Sequence, residues 1–237
     1  MRKNLFSQFF QRSRFVSVLV LLIALPLSLG AQSQKKTDPF EPLKKGNQDF
    51  VKNDDFKRVR DREYREGKQK PYAIILSCSD SRVPPELVFG EWLSLGKLFV
   101  IRTAGNVVDP VALGSIEYAA AVLNAKLILV LGHEKCGAVE AARGQAANPP
   151  THLSPNLAWF VDPIMLAVER TRQGSVTDTV KENVLVQIQN LRNQSSIIRD
   201  LEARRELSIA GGFYNIESPE KTGVVDFIYE NRSKGKK

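Results

Sequence analysis

Cysteine, histidine, tryptophan and methionine are scarce in this chain: two of each among 237 residues. Two cysteines exclude a disulfide framework of the kind that staples small secreted domains, and they allow one bridge at most. Two histidines leave little choice of imidazole for a metal or a proton. There is no internal repeat and no long linker, so the length suits one domain with a full core. Charge is missing altogether from Phe15 to Leu29, behind Arg2, Lys3, Arg12 and Arg14 and ahead of the small pair Gly30-Ala31. That order predicts a secretory signal peptide over 1–31 and a mature domain over 32–237.

An uncleaved anchor is the competing reading, since about 18–20 apolar residues span a bilayer, but Pro26 and the small residues after it favour cleavage. No cysteine follows the apolar run and no adjacent arginine pair precedes it, which argues against a lipid anchor and twin-arginine export. The expectation is export by the general route to a periplasm or extracellular space, with a photosynthetic lumen as the alternative. No stable membrane association is expected once the signal is removed.

The chain holds 34 Lys and Arg against 26 Asp and Glu, a formal charge of +8. Residues 1–31 carry four of the bases and none of the acids, which leaves 30 against 26, a net of +4. Nucleic-acid binders show a basic stripe with stacking aromatics. The basic clusters here, Lys57-Arg58-Val59-Arg60 and Lys234-Gly235-Lys236-Lys237, read as a solvated helix face and a frayed tail, so no nucleic-acid partner is expected.

Apolar runs at about 72–77, 97–102 and 127–131 alternate with helical stretches after Pro84-Pro85-Glu86, at 111–124 and at 136–144. This alternation predicts βαβ units and a parallel sheet, an α/β fold. Upstream, a helix begins at Asp38-Pro39 and runs through Phe40, Leu43, Phe50 and Val51, with a charged helical stretch over 56–67. Downstream, Asn156 to Gln173 and Thr177 to Gln194 repeat apolar residues at three and four. Ile197 to Glu206 continues as a charged helix. Leu207 to Tyr214 and Val224 to Tyr229 read as two late strands joined around Ser218-Pro219.

The chemistry gathers where two strands end. Cys78-Ser79-Asp80-Ser81-Arg82 closes the run Tyr72 to Ser77, and His133-Glu134-Lys135-Cys136 closes the run Leu127 to Leu131. Residues beyond the carboxyl ends of neighbouring parallel strands converge on one crevice. Two cysteines and one histidine make a tetrahedral zinc set with one open position, the catalytic arrangement. Cys136 stands at the first turn of a predicted helix, where the dipole favours a thiolate. Two blander readings stay open: buried cysteines acting as small apolar side chains, and a disulfide between them. Asp80 and Arg82 on alternate positions argue for a charged catalytic dyad instead.

Cys78-x-Asp80-x-Arg82 followed by Gly132-His133-x-x-Cys136-Gly137 resembles the β-class carbonic anhydrases, over roughly residues 40–230. The segments Leu98 to Asn106 and Gly114 to Ala119 are also similar to that family's. The resemblance implies one zinc per chain on Cys78, His133 and Cys136, with hydroxide attacking carbon dioxide to give bicarbonate. It implies catalytic roles for Asp80 and Arg82, and a substrate pocket of Gln69, Phe99, Ala104, Tyr118 and Gly137 in the plant-type pattern. Ile75 stands where the bicarbonate-inhibited subtype has Trp, which argues against that subtype's second bicarbonate pocket. The implied fold is a parallel sheet of four strands with an antiparallel edge strand, flanked by helices and preceded by an N-terminal helical arm. A homodimer or higher homo-oligomer is implied too, with Gln69, Phe99 and Tyr118 facing the partner's metal.

On this reading two thiolates cancel most of the zinc charge, so its water is less acidic than on three imidazoles, and activity should rise toward alkaline pH. Asp80 orients the water by accepting its hydrogen bond, while Arg82 keeps Asp80 ionised and off the metal. Released from Arg82, Asp80 takes the fourth zinc position, a closed state that some members of the family adopt. His152 is the one imidazole left for a proton shuttle. Two rivals stand beside carbon dioxide hydration: a carbonyl sulfide or carbon disulfide hydrolase on the same scaffold, and a non-catalytic zinc-stabilised structural protein.

Overall fold

The computed structural model describes residues 41–55, 68–91, 95–147 and 154–230. The expected signal peptide, the charged stretch over 56–67 and His152 lie outside the described residues. Helix α1, Glu41–Lys52, carries the apolar side chains Leu43, Phe50 and Val51. The sheet and the helices around it belong to the unit from Lys45 onward.

Five strands form one sheet: β1 Ala73–Cys78, β2 Leu98–Thr103, β3 Leu127–His133, β4 Ser208–Tyr214 and β5 Val225–Glu230, in the order β2-β1-β3-β4-β5. The first four are parallel, and β5 pairs antiparallel with β4 at the edge. Central parallel strands are covered on both faces and read as unbroken apolar runs; all six residues of β1 are buried. Alternate residues feed two cores. Ile74, Leu76, Ile128 and Val130 pack with Ile116, Val184, Ile188 and Leu191 on one face, and Ala73, Ile75, Leu129 and Leu131 pack with Val83 and Ala210 on the other.

The helices are α2 Pro85–Val88, α3 Pro110–Ala121, α4 Gly137–Ala147, α5 Pro155–Val161, α6 Met165–Arg170, α7 Val176–Gln194 and α8 Ser196–Ala203. Asp109 caps α3, its carboxylate accepting the Ala112 amide at 2.7 Å, and Pro110 fills the first helical position, where a missing N–H costs nothing. The expected single helix from Asn156 to Gln173 is corrected: it breaks at Asp162–Ile164, a 3-10 turn between α5 and α6. Pro163 has no N–H to donate and its ring crowds the carbonyl four residues back, although the apolar spacing runs on across it.

Helix α7, the longest among the described residues, crosses β3 and β4, and Gly132 allows the approach. A Cβ there would stand 2.8 Å from both Val180 Cγ1 and Val184 Cγ2. The helix starts at a capping box, with Ser175 Oγ accepting the Asp178 amide and Asp178 accepting the Ser175 amide. Loss of such a cap costs about 1 kcal/mol, so Ser175→Ala is expected to melt about 2–4 °C lower by calorimetry; an unchanged melting temperature contradicts this role.

Candidate metal centre

β1 and β3 are adjacent and parallel, with Ser77 beside Leu131, so Cys78 and His133 leave the sheet at the same edge. Glu134 and Lys135 then turn the chain into α4, with Lys135 in the left-handed region at φ 51°, and Cys136 sits just ahead of Gly137, the first residue of that helix. The Cys78 and Cys136 sulfurs are 3.9 Å apart, and one ligand atom from each of Cys78, His133 and Cys136 lies within 4.8 Å of the others. All three residues are buried.

Both cysteines are free, which removes the disulfide reading for this conformation. A zinc–sulfur bond of about 2.3 Å in a tetrahedron sets two sulfurs about 3.8 Å apart, so the pair needs no rearrangement to hold zinc. His133 supplies the stronger test. Its Nδ1 lies 2.9 Å from the Glu134 carbonyl; a carbonyl only accepts, so Nδ1 carries the hydrogen and Nε2 keeps its lone pair. Nε2 is buried without a hydrogen-bond partner. Native proteins rarely leave such an atom unsatisfied, and a metal ion would satisfy it. The donor set fits zinc.

The two sulfurs pull each other apart in acidity. Cys78 is pushed down by the hydrogen bond with Cys136, against the cost of burial and with help from His133 and the amides of Gly105 and Asp80. Cys136 is pushed up by the same bond, by burial and by the charge of Cys78. The amides of Val139 and Ala138 act in the direction expected of a helix N-terminus but do not prevail. Burial pulls His133 down, yet the neighbouring Cys78 thiolate leaves it raised overall.

Asp80 and Arg82 pair with each other directly. Arg82 donates from Nε to Asp80 Oδ1 at 3.0 Å, from a terminal nitrogen to Oδ2 at 2.8 Å and from its amide to Oδ1 at 2.9 Å. These bonds hold the Asp80 carboxyl well below the usual range. Its Oδ2 is 3.9 Å from His133 Nε2.

Three further residues that hold the centre escaped the sequence reading. The Arg102 guanidinium donates to the main-chain oxygens of Cys78 and Asp80, fixing the ligand loop through its backbone. The Glu134 carboxylate accepts the amides of Glu217 at 2.7 Å, Ile216 at 3.0 Å and Ser218 at 3.3 Å, which ties the segment after β4 to the ligand turn. Gly105 donates its amide to Cys78 Sγ at 3.4 Å. Arg102 and Glu134 stood within the segments that carried the resemblance, but nothing in the order of residues says that their partners are backbone atoms.

The expected pocket residues divide. Ala104 opens the 3-10 turn Ala104–Asn106 directly after β2, and Gly137 opens α4 beside Cys136; both stand at the metal edge. Phe99 pairs with Ile74, four positions before Cys78, about 13 Å along the strand. Tyr118 touches Phe99, ring centroids 6.3 Å apart. Gln69 precedes β1 and is exposed. Within one chain, Gln69, Phe99 and Tyr118 are not brought to the ligands.

Three side chains that could hold one metal ion, at the carboxyl edge of a mostly parallel sheet with a carboxylate and guanidinium beside them, are the arrangement of a mononuclear metalloenzyme. The profile of the carbonic anhydrase family matches residues 73–221. The chain is 37% identical over 183 residues to carbonic anhydrase 2 of Mycobacterium tuberculosis, covering 75% of this chain and 87% of that protein. It is 37% identical over 163 residues to the carbonic anhydrase of Pseudomonas aeruginosa, covering 64% and 72%. The β-carbonic anhydrase of Coccomyxa superposes with a TM-score of 0.67 at 28% identity over 81% of this chain and 87% of that one. The β-carbonic anhydrase CcaA gives 0.68 at 28% over 80% and 98%. The chain belongs to the β-carbonic anhydrases, a family of enzymes.

Proposed function

We propose that this protein is a zinc-dependent carbonic anhydrase that interconverts carbon dioxide and bicarbonate, with one zinc per chain on Cys78, His133 and Cys136. The observation that carries the reading is the buried lone pair of His133 Nε2 facing two sulfurs 3.9 Å apart, beside an acid that Arg82 keeps ionised. Zinc bound by two thiolates supplies a Lewis acid of reduced charge, which activates water at alkaline rather than neutral pH. Asp80 does the orienting: as a carboxylate it only accepts, so a water beside the ligands gives it a hydrogen bond and turns a lone pair toward the substrate carbon. Arg82 keeps that carboxylate charged and turned from the ligands.

The test is oxygen-isotope exchange between carbon dioxide and water, followed across pH with zinc content measured on the same sample. Exchange is expected to climb toward alkaline pH; a flat profile contradicts the charge argument. Zinc affinity should move the same way. Both sulfurs must be thiolates before zinc binds, and the neighbouring Cys78 sulfur and burial favour the protonated form of Cys136. Affinity therefore falls as pH drops, by up to about tenfold per unit for each proton displaced. A chelator competition that gives one affinity at all pH values contradicts this.

We infer a homodimer or larger homo-oligomer as well. Val111 and Tyr118 of helix α3 and Val122 directly after it are exposed, at 80%, 46% and 66%, one stripe of apolar side chains at helical spacing. The partner's ligands would lie against Gln69, Phe99 and Tyr118, the pocket residues left away from their own metal edge. An active monomer in sedimentation velocity contradicts this. Export rests on the N-terminal apolar run, and the intact mass of the secreted chain reads whether 1–31 is removed.

A further inference from the structure

Helix α7 buries two amides in the middle of its apolar stripe. Asn183 and Gln187, one turn apart, are both fully buried, and a buried amide is costly unless its hydrogen bonds are made. Asn183 Nδ2 donates to the Gly105 carbonyl at 2.9 Å. Gln187 Nε2 donates to Asn183 Oδ1 at 3.0 Å and to the Pro163 carbonyl at 3.3 Å. Gln187 Oε1 accepts the Val108 amide at 3.0 Å and the Asn190 side chain at 3.2 Å. The two side chains thus grip both ends of the segment from Gly105 to Val108.

That segment is held in an unfavoured shape. Gly105 and Asn106 both adopt positive φ, 69° and 48°; backbone of this kind persists where surrounding structure imposes it. Gly105 is also closely packed, since a Cβ there would stand 2.7 Å from Ile164 Cδ1 and 3.2 Å from Ala138 Cβ. Its amide hydrogen points at Cys78 Sγ. A hydrogen bond to a thiolate withdraws electron density from the sulfur, and such outer contacts tune a metal through its ligand.

We infer that Asn183 and Gln187 are positioning residues for the metal centre, holding the Gly105 amide against Cys78 and so setting how strongly that sulfur donates to the metal. The inference rests on the zinc reading above. Neither side chain touches the ligands; both act through the turn.

Cobalt(II) substitution of the full-length protein tests it, because the thiolate-to-cobalt charge-transfer band reports the electron density on sulfur without reference to turnover. Asn183→Asp is nearly isosteric but sets an acceptor against the Gly105 carbonyl. Gln187→Glu keeps the acceptor for Val108 and loses the donor to Asn183. Both are expected to bind one cobalt, with the band at longer wavelength than in the parent and kcat reduced about 10–100-fold, the Asn183 variant more than the Gln187 variant. Ile188→Ala, which removes apolar packing from the same helix but none of the hydrogen bonds to the turn, is expected to melt lower and keep the parent band. Should Asn183→Asp not fold, Gln187→Glu carries the test. An unshifted band in the folded variant, or an equal shift in Ile188→Ala, overturns the inference. A parent protein with no thiolate band overturns the zinc reading and this inference with it.

Discussion

Cys136→Ser is expected to give a folded protein without stoichiometric zinc, hydrating carbon dioxide more than about 100-fold more slowly than the parent. A change in an outer contact alone costs about 10–100-fold in metal affinity or activity, and this one removes a ligand. Serine nearly matches cysteine in size, so the surrounding Val139, Ala142 and Val161 keep their contacts. Its hydroxyl stays protonated where a thiol gives up its proton, leaving Cys78 and His133 as two ligands of a tetrahedron that needs at least three. The fold survives because the apolar clusters on the two faces of the sheet do not include Cys136. Elemental analysis and stopped-flow hydration on one sample check this, and a variant retaining a full zinc contradicts the assigned ligand set.

Arg82→Ala separates the same two readouts. It is expected to keep one zinc per chain and lose about 10²–10³ in turnover, the range for removing one preorganised electrostatic partner. Three hydrogen bonds now hold Asp80, two of them from the guanidinium. Without those two, the carboxylate at 3.9 Å from His133 Nε2 would be free to turn toward the ligand atoms and take the place of the water it should orient. Global stability should hardly change, because Arg82 is 44% exposed and pairs of that kind contribute little. A near-normal turnover, or zinc lost along with activity, contradicts the role given to Arg82.

The centre was legible because its ligands stand at, or within a turn of, the ends of two apolar strand-like runs. Cys78 and His133 end β1 and β3, and parallel pairing of neighbouring strands brings them together without long-range information. The antiparallel edge strand came from the resemblance, since nothing in Val224 to Tyr229 specifies direction. Pro163 was visible and still passed over: the three-and-four spacing continues through it, and one residue's missing donor outweighed the pattern. Asn183 and Gln187 were illegible for another reason. Amides on a helix look like its wet face until the topology sets α7 across β3 and the turn after β2. Gln69, Phe99 and Tyr118 show the same limit from the other side, because only the resemblance groups them and turns them toward a partner's metal, and chain order does neither.

The most direct test is stopped-flow carbon dioxide hydration by the purified protein at alkaline pH, with zinc counted on the same preparation. The account predicts rapid turnover at about one zinc per chain. One zinc per chain with hydration no faster than in buffer would contradict it, leaving a metal site whose chemistry is something else.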